Sequence, residues 1–287
     1  MEKYYRFAGV ELAVSTRDEW MYEDDRSLEP FRVDTVTDPH RFTFELVPSL
    51  TAPSGQLIAT QDNFVVYHEN SDRVRYTGVV RGDWSTAYLR AVHQEKEHPV
   101  EVKADVYKTG ISAKTVLNAA EAEHLIARNQ GFVFHSSYIE VDGKAILFTA
   151  PSGTGKSTQA DLWHSLRGAR ILNGDRSAVR CTENGIVACG IPFMGSSQYC
   201  KNVTLPLTAV VYLSQAPQTT IRRLRGAEAF RRVWEGVSVN TWDKEDVSLV
   251  MDSVSQVVQN VPVYYLACTP DESAVAALEQ QLGKWED

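Results

Sequence analysis

Ala150-Pro151-Ser152-Gly153-Thr154-Gly155-Lys156-Ser157-Thr158 is the stretch from which the rest of the chain is read. Before it, Ala145-Ile146-Leu147-Phe148-Thr149 has the pattern of a short buried strand, and after it Thr158–Leu166 has the pattern of a helix with apolar Ala160, Leu162, Trp163 and Leu166. A strand, a glycine-bearing turn and a helix start together predict a phosphate-binding loop. Gly153 and Gly155 let successive N–H groups curl inward, and the helix N-terminus adds partial positive charge. Lys156 is expected to bridge the terminal phosphates and Ser157 to offer its hydroxyl to magnesium. Ala150 stands where such loops usually carry their first glycine, a small residue that fits if its φ is negative.

Working outward, the 287 residues suffice for one large domain or two small ones. The net charge of −8 argues against a general nucleic-acid surface, which needs clustered positive charge. Arg222, Arg223, Arg225, Arg231 and Arg232 form one local basic cluster, a binding patch or, at least equally, a solvated helix and strand face. No apolar run is long enough to span a bilayer, and Met1-Glu2-Lys3-Tyr4 lacks the layout of a signal peptide. Cys181, Cys189, Cys200 and Cys268 have neither zinc nor disulfide spacing and read as free core thiols. The expectation is a cytoplasmic protein with no nucleic-acid and no membrane partner; homo-oligomerisation stays open.

The chain is expected to be of α/β (mixed α+β) class, divided into a β-rich region over 1–112 and a loop-bearing domain over 113–287. In the first region, strands are expected at Tyr4–Ser15, Arg41–Val47, Asn63–His68, Arg73–Val80, Thr86–Val92 and Val100–Tyr107, with residues 16–40 as an acidic loop or covering flap. It carries no recognisable chemistry, and is assigned to acceptor or partner recognition by exclusion. From Ala113 to Gln130 the pattern predicts one helix. A hairpin follows, Phe132–Val141 and Lys144–Thr149 joined by Asp142-Gly143. Strands are then expected near Arg170–Leu172, Ser177–Thr182, Ile186–Cys189 and Leu207–Ser214. Helices are expected at Ala227–Trp234 and Asp243–Asn260, then strand Val261–Ala267 and helix Asp271–Leu282.

A phosphate loop alone gives nucleotide binding, not a reaction. Its best partner is Asp175 in Arg170-Ile171-Leu172-Asn173-Gly174-Asp175-Arg176, an apolar strand that ends in an acid able to hold magnesium or take a hydroxyl proton. Asn-Gly-Asp is equally good turn chemistry. The interval of 19 residues from Lys156 is short for this arrangement. With that interval, residues 115–282 resemble the HPr kinase/phosphorylase and phosphoenolpyruvate carboxykinase-like superfamily, better the kinase branch. Two further features carry the likeness: His135 precedes Ala150 by fifteen residues within a hairpin, and Gly168-Ala169-Arg170-Ile171-Leu172 leads to the acid. The departures are a single acid where that family has a pair, and Tyr265-Leu266-Ala267-Cys268-Thr269-Pro270 where HPr kinases have an arginine-rich loop.

The resemblance implies an ATP- and magnesium-dependent kinase acting on a hydroxyl of a peptide, small protein or metabolite. It implies a nucleotide held by residues 150–158, magnesium held by Ser157 and Asp175, and catalytic roles for Asp175, Lys156, His135 and Lys201. His135 is equally a structural strand histidine, Lys201 equally a surface lysine, and Arg176 either neutralises phosphate or pairs with Asp175. The competing expectations are a nucleotide-binding regulator without turnover, a peptide-binding module with a vestigial loop, and a carboxykinase-type lyase. The acceptor, and the choice among ATP, GTP and pyrophosphate, are not readable in the sequence.

Overall fold

The computed structural model describes residues 2–17, 26–105, 111–193 and 199–282. The chain forms two compact units, Met1–Ala122 and Glu123–Asp287, each of mixed architecture around a nine-stranded sheet. The division falls beyond the expected 112/113 boundary, so the first turns of helix after it belong with the β-rich unit.

In the first unit, β1 (Glu2–Phe7), β2 (Val10–Thr16), β3 (Arg32–Val33), β4 (His40–Val47), β5 (Gln56–Gln61), β6 (Phe64–Glu69), β7 (Asp72–Thr77), β8 (Leu89–His93) and β9 (Glu97–Lys103) lie in the order β3-β1-β2-β4-β9-β8-β7-β6-β5. The β2–β4 and β4–β9 junctions are parallel. Period-2 alternation sets the buried face: Phe42 and Phe44 on β4 lie opposite His98 and Val100 on β9, and all four are buried. The expected single strand Tyr4–Ser15 is instead a hairpin. Ala8 at φ 46° and Gly9 at φ 75° make a tight turn, which alternation alone does not mark because Ala8 looks like any apolar strand residue. The expected flap at 16–40, of which 18–25 lie outside the described residues, also contributes core: Leu28 and Phe31 are fully buried, Phe31 edge-on to Phe7. The end of the expected strand Val100–Tyr107 likewise lies outside the described residues.

The expected helix over 113–130 is two, α1 (Ala113–Ala120) and α2 (Ala122–Arg128). They part at Glu121, which takes φ 45° and ψ 58°. The break has an electrostatic reason: the fully buried Glu121 carboxylate accepts hydrogen bonds from Arg73 and Arg75 of β7, a pairing that offsets its desolvation.

A pH-sensitive histidine sits in the same unit. His98 is buried, stacked on Phe42, and 3.0 Å from His40 through ring nitrogens. Burial, with His93, His40 and Arg73 nearby and only Glu121 opposing, pushes it down to about 3 from 6.5. The unfolded chain therefore binds the proton first, so stability present above pH 6.5 is lost as pH falls towards 3, on the order of 5 kcal/mol in all. Glu11, lowered to about 2 by the backbone N–H groups of Asp38 and Thr37, acts in the same direction below pH 4.5. Denaturant midpoints measured from pH 7 to 4.5 should fall in the wild type, and His98→Leu should flatten most of that slope. An unchanged slope in the variant would refute the assignment.

In the second unit, β10 (Gly131–Val141), β11 (Lys144–Thr149), α3 (Lys156–Arg167), β12 (Arg170–Asn173), β13 (Arg176–Thr182), β14 (Gly185–Gly190), β15 (Thr204–Gln215), β16 (Thr220–Leu224), α4 (Gly226–Trp234), β17 (Val237–Ser238), α5 (Lys244–Asn260), β18 (Val263–Cys268) and α6 (Glu272–Leu282) follow in order. The hairpin turn is as expected, with Asp142 at φ 50° and Gly143 at φ 73°. The long strands β10 and β15 each pair on two sides. The pairings β10–β13, β13–β14, β14–β15, β15–β11 and β11–β10 thereby close a circuit. β15 and β18 extend it in parallel, and β16 forms the edge.

Alternate residues divide two cores. Ile146, Phe148, Val211 and Leu213 pack with Ala160 and Trp163 of α3 and Val275 and Leu278 of α6. Leu147 and Val210 pack on the opposite face with Val233 of α4 and Val250, Val254 and Val257 of α5. α5 is capped by Asp243, whose carboxylate accepts from the Glu245 and Asp246 N–H groups, and Asp246 in turn holds His124 of α2 at 2.8 Å. All four cysteines are free and buried, in line with their spacing. No described helix is long and apolar enough to cross a membrane.

Candidate functional site

The 150–158 segment connects β11 to α3 at the point where β11 and β15 run parallel. Gly155 precedes the helix at φ 118°, a conformation that L side chains rarely adopt although a Cβ there would meet nothing closer than 4.0 Å. Glycine is needed here for its backbone, not for space. Ala150 is buried and keeps out of the left-handed region, so it meets the condition set by its sequence. The first intrahelical bond runs from the Gln159 N–H to the Gly155 carbonyl at 2.9 Å, leaving the Lys156, Ser157 and Thr158 N–H groups ahead of it. No acidic side chain occupies the first turn of α3 and no side chain caps it, so its positive end is not neutralised locally.

Lys156 is buried, and its ammonium donates to the carbonyls of Ala150 at 3.0 Å and Pro151 at 3.4 Å. Burial lowers its pKa, an effect partly opposed by Asp175. Pro151, Ser152, Gly153, Ser157 and Thr158 are exposed.

Asp175 lies in the bend between β12 and β13, and its backbone is held from several sides. Asn173, wholly buried, accepts from the N–H groups of Asp175 and Arg176 at 3.1 Å each and donates to the carbonyls of Ile191 and Phe193. Ser136 N–H donates to the Asp175 carbonyl at 3.0 Å and the Ser137 hydroxyl to that of Gly174 at 3.2 Å. Because β10 carries Ser136, it also carries His135 to the acid: His135 Nε2 is 3.5 Å from Asp175 Oδ1. Burial and then Lys156 lower the His135 pKa, while Asp175 raises it. The balance favours the neutral imidazole. Arg176 lies 3.7 Å from Asp175 and 3.8 Å from Glu123, so it pairs with acids on both sides.

Lys156, His135 and Asp175 thus lie within electrostatic reach of one another. Lys201 is exposed, its backbone N–H donates to the Leu172 carbonyl of β12 at 3.1 Å, and among the described residues no ion pair links its ammonium to Asp175. Two contributors were not legible as such. Asn173 read as turn chemistry but is a buried positioning residue. Arg232, in a basic cluster open to either a solvated face or a binding patch, stands over the Tyr212 ring at 4.6 Å and lines a groove with Pro151–Thr154 and Tyr265. A signal existed for Arg232 only in its spacing on α4, one turn after Glu228, which Arg222 holds.

The model of the family described as SynChlorMet cassette protein ScmC matches residues 113–282, more than half of the chain. The chain belongs to the ScmC family. The match takes in the glycine loop, the Asp175 bend and all the helices of the second unit. Among curated proteins, none matches this chain. A solved structure, the Hpr(Ser) kinase/phosphatase from Coxiella burnetii, is similar at a TM-score of 0.32 and 10% identity, over 54% of this chain and 99% of that one.

Proposed function

We propose that the second unit is an ATP- and magnesium-dependent kinase of HPr-kinase-like type, transferring the γ-phosphate to a hydroxyl of a peptide, small protein or metabolite. One observation carries the reading: a buried lysine at the start of an uncapped helix lies within electrostatic reach of a carboxylate that strand pairing, through β10, β12 and β13, holds beside His135. In this reading the residue 150–158 backbone and Lys156 hold the β- and γ-phosphates. The acceptor oxygen bonds to the γ-phosphorus as the bond from that phosphorus to the bridging oxygen breaks, and ADP leaves. Asp175 accepts the hydroxyl proton or orients it, and His135 fixes the Asp175 carboxylate. Positioning and charge neutralisation carry most of the work. Ser157 Oγ and the part-exposed Asp175 carboxylate are hard oxygen donors suited to magnesium, which when bound would neutralise charge across the two phosphates.

A second reading, a nucleotide-binding regulator without turnover, is favoured by one feature: Asp175 is a single acid, flanked by Gly174 and Arg176. Incubating the chain with γ-labelled ATP, magnesium and fractionated lysate separates the two. The kinase reading expects label in a hydroxyl phosphoester of a discrete acceptor. Magnesium-dependent ATP binding with no transfer to any fraction supports the regulator.

A further inference from the structure

Beside the glycine loop is a cavity of about 600 Å³ lined by Gly153–Gly155, Leu213, Cys268, Pro270 and Gln159. Its volume suits a nucleoside, and at the ends of β15 and β18 apolar Leu213, Ala216 and Pro270 alternate with polar Ser214, Gln215 and Thr269, a mixture that suits a flat ring with polar edges. The loop glycines are common to this cavity and the phosphate site, so a base here is continuous with phosphates there. The informative residue is Gln159. It lies on the inward stripe of α3 with Lys156, Ala160 and Trp163, at 2% exposure. Its amide N–H donates to Cys268 Sγ at 3.5 Å, whereas its Oε1 is buried with no hydrogen-bond partner. An unpaired buried carbonyl is costly unless something donates to it.

We infer that this cavity is a base subsite in which Gln159 Oε1 accepts a hydrogen bond from the 6-amino group of a purine, making Gln159 the residue that selects adenine over 6-oxo purines. The inference rests on the nucleotide-binding reading above and deepens it. A 6-oxo purine presents an acceptor to an acceptor, leaving both unpaired, and a site built around such a bond discriminates strongly against the analogue that lacks the donor.

The test is equilibrium binding of ATP, ITP, GTP and tripolyphosphate to the full chain with magnesium. ATP should bind at least roughly tenfold more tightly than ITP or GTP, and more tightly than tripolyphosphate. Gln159→Met, which keeps the volume, should bring the ATP-to-ITP ratio to within about twofold while leaving tripolyphosphate affinity unchanged. Equal or tighter binding of ITP or GTP by the wild type overturns the inference, whatever the variant does. So does a ratio preserved in Gln159→Met. Tripolyphosphate binding as tightly as ATP overturns the base subsite and leaves the phosphate loop standing. Failure of every triphosphate, tripolyphosphate included, removes the loop reading and the inference together.

Discussion

Lys156→Ala is expected to cut phosphoryl transfer by roughly a thousandfold and to weaken ATP binding, with little change in folding stability. The lysine sits at the first position of α3, where alanine is at least as good a helix former. Its ammonium rests on two backbone carbonyls, Ala150 and Pro151, beside a loop whose neighbours reach solvent, so removing it leaves those oxygens able to take water. Its contribution to the fold is therefore small. On the proposed reading its contribution to a bound phosphate should be large because it is buried: desolvation already lowers its pKa, and in such surroundings a unit charge acts on an anion more strongly than it would in water. Thermal unfolding, ATP titration and labelled-phosphate transfer measured on one preparation decide the matter. A variant that binds and transfers at wild-type levels would remove the phosphate-loop reading.

What the sequence disclosed follows from how local the determinants are. The Asp142-Gly143 turn, the glycines of the loop, the Asp243 cap and the helices on either side of β18 depend on neighbours within a few residues, and these elements formed where their patterns placed them. The circuit of strands did not announce itself, since β10 and β15 each pair with partners far along the chain and nothing near them encodes which. Gly190 and Gly236 show the same point at atomic scale. A Cβ on Gly190 would lie 1.8 Å from the Lys201 carbonyl, and one on Gly236 would lie 2.5 Å from Thr149 Oγ1, contacts made only when distant segments meet. Glu121 interrupts a helical pattern because its partners are on β7.

On α3 the sequence pattern points to Ala160, Leu162, Trp163 and Leu166 as the apolar positions. The structure buries Ala160 and Trp163 and packs partly buried Leu162 on the same core, but it leaves Leu166 exposed at 38% and buries Gln159. The spacing from Lys156 to Gln159, Ala160 and Trp163 is that of one helix face, and a polar residue on an inward face is itself a sign of chemistry. Asp175 was legible as an acid at a strand end. Its anchoring by Asn173 and Ser136 was not, because it requires β10 and β12 to be already paired.

Asp175→Asn isolates the charge of that acid from its position. The backbone bonds that hold residue 175 come from Asn173 and Ser136 and do not involve its side chain, so the amide should occupy the place of the carboxylate. ATP binding should stay within a few-fold of wild type, since a negative charge is removed from beside the phosphates. Transfer should fall by roughly 10²–10⁴, the range associated with losing a positioned acid or base. His135 supplies an independent readout. Asp175 is the largest influence raising its pKa against burial and Lys156, so the variant should move that pKa further down, and protonation should require lower pH than in the wild type. An NMR titration of the His135 ring reads this directly. A drop in transfer with an unmoved His135 would mean that the acid and the histidine do not share a site. Wild-type transfer in Asp175→Asn would mean that proton acceptance and metal binding belong to some other group.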